Sequence, residues 1–129
     1  VATNKIFIVI DGDDVGAHIE SLILRGKLNE LKNFSENYKK SMQWLSGKLQ
    51  RHFQAEVVFE GGDSLLAICS IDLFNKSNLE DIREEYQLKA QRTISIGIGL
   101  SLITAYIGLK LAKTGGKDCL VDMREIQYE

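Results

Sequence analysis

Near its start the chain runs Lys5-Ile6-Phe7-Ile8-Val9-Ile10 and then stops at Asp11-Gly12-Asp13-Asp14-Val15-Gly16. A continuous β-branched and aromatic run of this length predicts a strand buried on both faces. Its end is an acidic turn carrying a glycine. A second acidic turn, Glu60-Gly61-Gly62-Asp63-Ser64, lies between two more strand-like stretches, Val57-Val58-Phe59 and Leu65-Leu66-Ala67-Ile68-Cys69. Gly61-Gly62 supplies the tight turn of a hairpin there.

The remaining pattern completes the fold. Val15 to Leu24 predicts a short helix that Asp13 or Asp14 can cap, and Gly26 interrupts it. From Leu28, the positions Leu31, Phe34, Tyr38, Met42, Leu45, Leu49 and Phe53 recur every three or four residues, which predicts one long helix with a single core-facing stripe. Asp72 to Ser77 is a polar loop, and Leu79, Ile82, Tyr86 and Leu88 or Lys89 mark a shorter helix. Thr93 to Gly99 predicts a strand whose alternating glycines admit another backbone, helix or ligand close to the sheet. Ala105 to Lys113 is a helix closed by Gly115-Gly116, and Cys119-Leu120-Val121 is a last strand. The order β-α-β-β-α-β plus an added α-β predicts an α+β, ferredoxin-like domain over residues 1–129, an antiparallel sheet with helices on one face. In that topology the first strand and the hairpin are neighbours, so Asp11 and Asp63 face one another at one edge.

Composition narrows the function. A length of 129 residues suits one domain. A net charge of −2 argues against a general nucleic-acid surface. No apolar stretch is long enough to cross a bilayer, no signal peptide is evident, and no membrane partner is expected. The start at Val1, without a methionine, points to a processed or engineered N-terminus. Cys69 and Cys119 lack metal-binding spacing and read as reduced, buried thiols of a cytoplasmic protein.

Two carboxylates at about 4 Å repel by about 4 kcal/mol at an effective dielectric near 20. A shared proton, suited to hydrolytic chemistry, or a cation, suited to phosphoryl transfer, holds such a pair together. Mg2+ takes one or two carboxylates plus phosphate oxygens, and a second ion can clamp the other reacting oxygen. Asp11 and Asp63 fit as first ligands, with the Gly12 carbonyl between them. Gly16 and the amides of the first helical turn can approach a phosphate. In Ala112-Lys113-Thr114-Gly115-Gly116-Lys117, Lys113 and Lys117 stand one helical turn apart and can reach the same triphosphate. Each feature alone has a bland reading: an ordinary hairpin, a turn with a helix cap, solvated charges near a helix end. Their arrival at one rim makes nucleotide chemistry the leading expectation. His18 and His52 read as surface residues, Trp44 as packing or an interface, and no Ser or Cys has a histidine base.

The segments Ile10–Gly16, Phe59–Ser64, Thr93–Gly97 and Ala112–Asp118 occur in the order seen in nucleotidyl-cyclase palm domains, which include GGDEF diguanylate cyclases and the polymerase subunit of type III CRISPR complexes. The chain most resembles the minimal CRISPR polymerase (mCpol) family. That resemblance implies metal ligation (Mg2+ or Mn2+) by Asp11, the Gly12 carbonyl and Asp63, and phosphate contacts by Lys113 and Lys117. It places the nucleotide along Gly12, Asp13, Asp14, Val15, Gly16, Gly61, Gly62 and Ser64. It implies nucleoside triphosphates as substrates, a homodimer with a composite site, a cyclic di- or oligonucleotide product, and a separate effector in antiviral defence. Ser64 stands where many relatives carry Asp or Glu, which weakens a second metal or moves it to Asp13 or Asp14. Val15-Gly16-Ala17-His18-Ile19-Glu20 lacks the GGDEF guanine-selecting Phe-Lys-x-x-Asn-Asp pattern, which favours adenine. The competing readings are a catalytically degenerate nucleotide sensor, a purine-ring-opening GTP hydrolase on the same fold, and an interaction domain.

Overall fold

A computed structural model of the chain describes residues 4–126; residues 1–3, with the Val1 start, and 127–129 lie outside that range. The first apolar run is β1 (Lys5–Gly12). It lies at the centre of a five-stranded sheet of order β2-β3-β1-β4-β5. β1 pairs antiparallel with β3 (Ser64–Ser70) and with β4 (Ile94–Gly99). β2 (Glu56–Gly61) closes one side as the other arm of the expected hairpin, with a bulge between Val57 and Phe59.

Alternation along the strands builds the core. Ile6, Ile8 and Ile10 of β1, Leu65, Ala67 and Cys69 of β3, and Ile94, Ile96 and Ile98 of β4 share one face and are buried. Against them pack α2 (Leu28–Phe53), through Tyr38, Met42, Leu45, Leu49 and Phe53, and α3 (Lys76–Ala90), through Leu79, Ile82 and Tyr86. Full burial of each such side chain is worth about 1.5–3 kcal/mol. The α2 stripe is the expected one; that of α3 ends at Tyr86, since Leu88 is 84% exposed. α1 (Val15–Leu24) leans on α2, and Gly26 adopts a φ of 65° in the break between them.

The α+β palm-like arrangement is the expected one, and the added unit extends it in two ways. α4 (Leu102–Thr114) lies on the sheet face opposite to α2 and α3, so helices cover both faces. β5 (Leu120–Asp122) pairs parallel with β4, which makes the sheet mixed. The glycines of β4 admit that helix: a Cβ on Gly97 would stand 2.1 Å from the Ala105 carbonyl oxygen and 2.2 Å from the Leu109 nitrogen. Ser101 caps α4 by accepting from the Thr104 amide. Both cysteines are free; Cys69 is buried and Cys119 half-buried.

Candidate active site

Because β1 is central, its C-terminal end meets the β2–β3 turn on one side and the start of β4 on the other. Asp11 sits opposite Ser64 on β3 and Ser95 on β4. The Gly12 amide donates to the Asp63 carbonyl at 2.8 Å, so the two acidic turns are joined by a backbone bond. Asp11 and Asp63 meet at this rim as expected. Burial, and then the charge of Asp11, hold the Asp63 carboxyl above its usual range, against the pull of Lys113. Among the described residues, no hydrogen bond or ion pair from another side chain reaches the Asp63 carboxylate. Asp11 accepts from the Ser64 hydroxyl at 2.8 Å. Gly12 has to be glycine, because a Cβ would fall 2.2 Å from the Tyr38 hydroxyl and 2.8 Å from a Val15 methyl.

Asp13 is treated differently. It is 3% exposed and accepts from Thr93 Oγ1 and Ser95 Oγ, each at 2.7 Å, and from the Asp118 amide at 2.9 Å. Lys113 Nζ adds a fourth donor at 2.8 Å. Burial opposes ionisation here, but the hydrogen bonds outweigh it and hold the carboxyl below its usual range. Asp13 is thereby a structural tie between β1, β4 and the turn after α4. Thr93, Ser95 and Asp118 lie within the segments that carry the family resemblance, which assigned them no role of their own; the two-residue spacing of the hydroxyls, which puts them on one strand face, is the one local signal that marks them.

Neither Asp13 nor Asp14 caps α1 with its side chain. Asp14 occupies the N-cap position in a left-handed conformation (φ 59°) without a capping hydrogen bond, and its carboxylate pairs with Lys117. The expected one-turn spacing of the lysines also differs, because α4 ends at Thr114. Lys117 lies in the following turn with φ 64°, its amide donating to Ala112 O at 3.0 Å. Both lysines still reach the first acidic turn. Lys113 Nζ stands 2.7 Å from the Gly12 carbonyl oxygen, 2.9 Å from Asp11 Oδ2 and 2.8 Å from Asp13 Oδ1. Burial lowers its pKa, and the bonds to Asp13 and Asp11 more than reverse that.

Beside the rim, α1, α2 and the β2–β3 turn enclose a cleft of about 720 Å³, a size typical of small-ligand sites. Val15, Ile19, Phe34 and Met42 make its wall apolar, and Gly62 and Asp63 close its mouth. A Cβ on Gly16 would meet nothing within 4 Å, so that wall is open. The first helical hydrogen bond at this end runs from the His18 amide to Asp14 O, which leaves the amides of Val15, Gly16 and Ala17 for an outside partner. His18 is half-buried and edge-on to Phe34 at 4.7 Å rather than at the carboxylates. His52 is exposed, and Trp44 packs by Tyr86 under Lys48 and Lys89.

The oxygens of Asp11 and Gly12 already address one cation, the Lys113 ammonium, and Asp63 stands beside them unpaired. Hard oxygens in this number suit Mg2+, which draws its other ligands from water and phosphate. Among the described residues no three His, Cys, Asp or Glu side chains gather at metal-holding distances, so such an ion would rest on two carboxylates and a carbonyl.

A family model described as the minimal CRISPR polymerase domain, mCpol, matches residues 7–123. No curated protein matches the sequence. Among solved structures, the active GGEEF domain of a diguanylate cyclase from Vibrio cholerae is similar with a TM-score of 0.63 at 12% identity, over 95% of this chain and 84% of that one. The GGDEF domain of DgcB from Caulobacter crescentus, in complex with c-di-GMP, gives 0.60 at 16% identity, over 94% of this chain and 78% of that one. A Csm1–Csm4 cassette in complex with pppApA gives 0.65 at 18% identity, over 90% of this chain but 20% of that one. At these identities the likeness is one of fold.

Proposed function

The chain belongs to the mCpol family of minimal CRISPR polymerase domains, and from that premise we propose that it is a metal-dependent nucleotidyltransferase making a cyclic di- or oligonucleotide from nucleoside triphosphates. The observation that carries this reading is the unpaired Asp63 carboxylate beside Asp11 and the Gly12 carbonyl, at the mouth of an apolar cleft. Asp11, Gly12 O and Asp63 would hold Mg2+ or Mn2+. When bound, that ion supplies charge to the reacting phosphate and acidifies the attacking hydroxyl.

The chain's own residues do the rest. Val15, Ile19, Phe34 and Met42 enclose a base out of water, and the open amides at Gly16 receive phosphate oxygens. Lys113 and Lys117 turn from the carboxylates to the leaving pyrophosphate. A ribose hydroxyl of one nucleotide forms a bond to the α-phosphorus of another. The bond to the β-phosphate oxygen breaks, pyrophosphate departs, and the hydroxyl proton passes to solvent. We favour ATP, because the Csm1–Csm4 structures hold pppApA, cA4 or cA3 and this chain lacks the GGDEF guanine pattern. The second nucleotide comes from a second copy. The outward side of α4, with Ile103, Tyr106, Ile107 and Leu111 exposed, ends at Lys113 beside the rim and supports seating that copy there. A separate effector reads the product in cytoplasmic antiviral signalling. No helix among the described residues is long and apolar enough to cross a membrane.

A second reading has its own observation. Lys113 occupies the Gly12 carbonyl and Asp11 together, the arrangement of a domain whose own lysine replaces the metal and which senses nucleotide without turnover. Incubation with each of the four ribonucleoside triphosphates, singly and in pairs, with Mg2+ or Mn2+, separates the two. A cyclic product by mass spectrometry, absent with Asp63→Ala, supports the synthase. Nucleotide binding without product and without need of added metal supports the sensor, and a ring-opened formamidopyrimidine product, with or without formate, would point instead to a ring-opening hydrolase.

A further inference from the structure

Tyr38 lies in the core stripe of α2, yet its hydroxyl is the one buried side-chain polar atom among the described residues without a hydrogen-bond partner. The residue is 7% exposed. The hydroxyl of Tyr86, whose ring is 6.4 Å away between centroids, is directed to Met42 Sδ at 3.7 Å instead. An orphaned donor in a packed interior calls for a partner that is absent from the protein itself. Tyr38 also lines the cleft.

Its position along the cleft narrows what that partner is. On one side Tyr38 stacks on Phe34 at 5.5 Å, within the apolar wall. On the other its hydroxyl abuts Gly12, the same glycine that Asp63 borders. A nucleotide with its base in the apolar part and its phosphates at the rim passes its sugar over Tyr38. Phosphate itself is a poor partner: the hydroxyl sits on the Asp63 side of Gly12, whereas the ammonium of Lys113 is bonded to the Gly12 carbonyl, Asp11 and Asp13, and that of Lys117 to Asp14.

Resting on the proposed function above, we propose that Tyr38 is the sugar-reading residue of the cleft, its hydroxyl donating to a ribose hydroxyl and selecting ribonucleotides over deoxyribonucleotides. The test is calorimetric titration with the α,β-methylene analogues of ATP, 2′-deoxy-ATP and 3′-deoxy-ATP, which cannot release pyrophosphate, in the presence of Mg2+. Wild type should bind the ribose form about fivefold to tenfold tighter than one of the two deoxy forms, the value of one hydrogen bond. Which deoxy form loses affinity identifies the hydroxyl. Tyr38→Phe keeps the ring and removes only the orphaned group. It should weaken ribonucleotide binding by that factor and leave the affected deoxy form unchanged, a coupling that a packing role cannot produce. Equal binding of all three analogues by wild type overturns the inference without needing any variant, as does a uniform loss in Tyr38→Phe. Should wild type bind no analogue at all, the proposed function falls together with this subsite; binding without sugar discrimination sinks the subsite alone.

Discussion

Asp13 takes hydrogen bonds from Thr93, Ser95, the Asp118 amide and Lys113, while Asp63, on the adjoining turn, takes none from any other described side chain. Both are acidic residues of glycine-bearing turns, joined through the Gly12–Asp63 backbone bond. Folding stabilises the charge on the first and disfavours it on the second. What separates them is the supply of donors. A carboxylate with four donors is spent on holding strands and turns together. One that takes only its own backbone amide, near another negative charge, keeps its binding capacity for a cation.

The sharpest way to break that contrast is to remove each carboxylate in turn. Asp63→Ala should abolish product formation, a loss of about a thousandfold or more if several kcal/mol of metal-borne stabilisation go with it. Its melting temperature should stay level or rise. A melting temperature several degrees lower would mean that Asp63 is structural after all. Asp13→Ala should instead lose about 3 kcal/mol in urea unfolding, the low end for a broken buried charge network because Lys113 keeps Asp11. An unchanged urea midpoint would erase the distinction from the other side.

Much of this was legible beforehand, and the residues show why. The Ile6–Ile10 run, the α2 stripe and the glycines of β4 report burial and close approach, which depend on local pattern. Asp11 and Asp63 could be brought together because antiparallel pairing of β1 with the hairpin puts both turns at one end. The role of Asp13 could not be read, because it depends on Thr93, Ser95 and Asp118, which lie far away in the chain. Tyr38 was hidden for another reason. Helical periodicity tells that a side chain points inward, not whether its hydroxyl has a partner there. α4 reached the far face because a Gly97 without a Cβ lets the crossover pack on that side, and spacing alone does not choose the side.

Acid titration of the metal-free protein sharpens the contrast further, with opposite signs at the two sites. Asp13 has a lowered folded pKa, so its contribution is present above the ordinary carboxyl value of 3.8 and fades as pH falls through the lowered folded value. Asp63 has a raised one, so its contribution is present below 3.8 and is lost as pH rises through the raised value. In thermal melts, Asp63→Asn should therefore gain stability over wild type at neutral pH, with the gain vanishing towards pH 3.8. The deficit of Asp13→Asn should be largest at neutral pH and shrink below 3.8. Parallel curves for the two variants would mean that both carboxylates sit in one environment.

Ser64 gives the smallest effect and tests what lies between the two extremes. Its hydroxyl donates to Asp11 Oδ1 at 2.8 Å, while Lys113 holds Oδ2 at 2.9 Å. Asp11 is thus oriented at both oxygens without being saturated as Asp13 is. A serine at this position adds no charge to the rim; it aims the charge already there. Ser64→Ala frees one oxygen of Asp11 and should weaken Mn2+ binding by about tenfold, the lower range for losing an orienting partner of a metal ligand. Stability should fall by about 1 kcal/mol or less, since the pair is only half-buried. Ser64→Thr keeps the hydroxyl and should retain most of the affinity. Equal Mn2+ affinity in wild type and Ser64→Ala, measured by calorimetry, would place Ser64 with ordinary hairpin residues and leave Asp11 to be oriented by Lys113 alone.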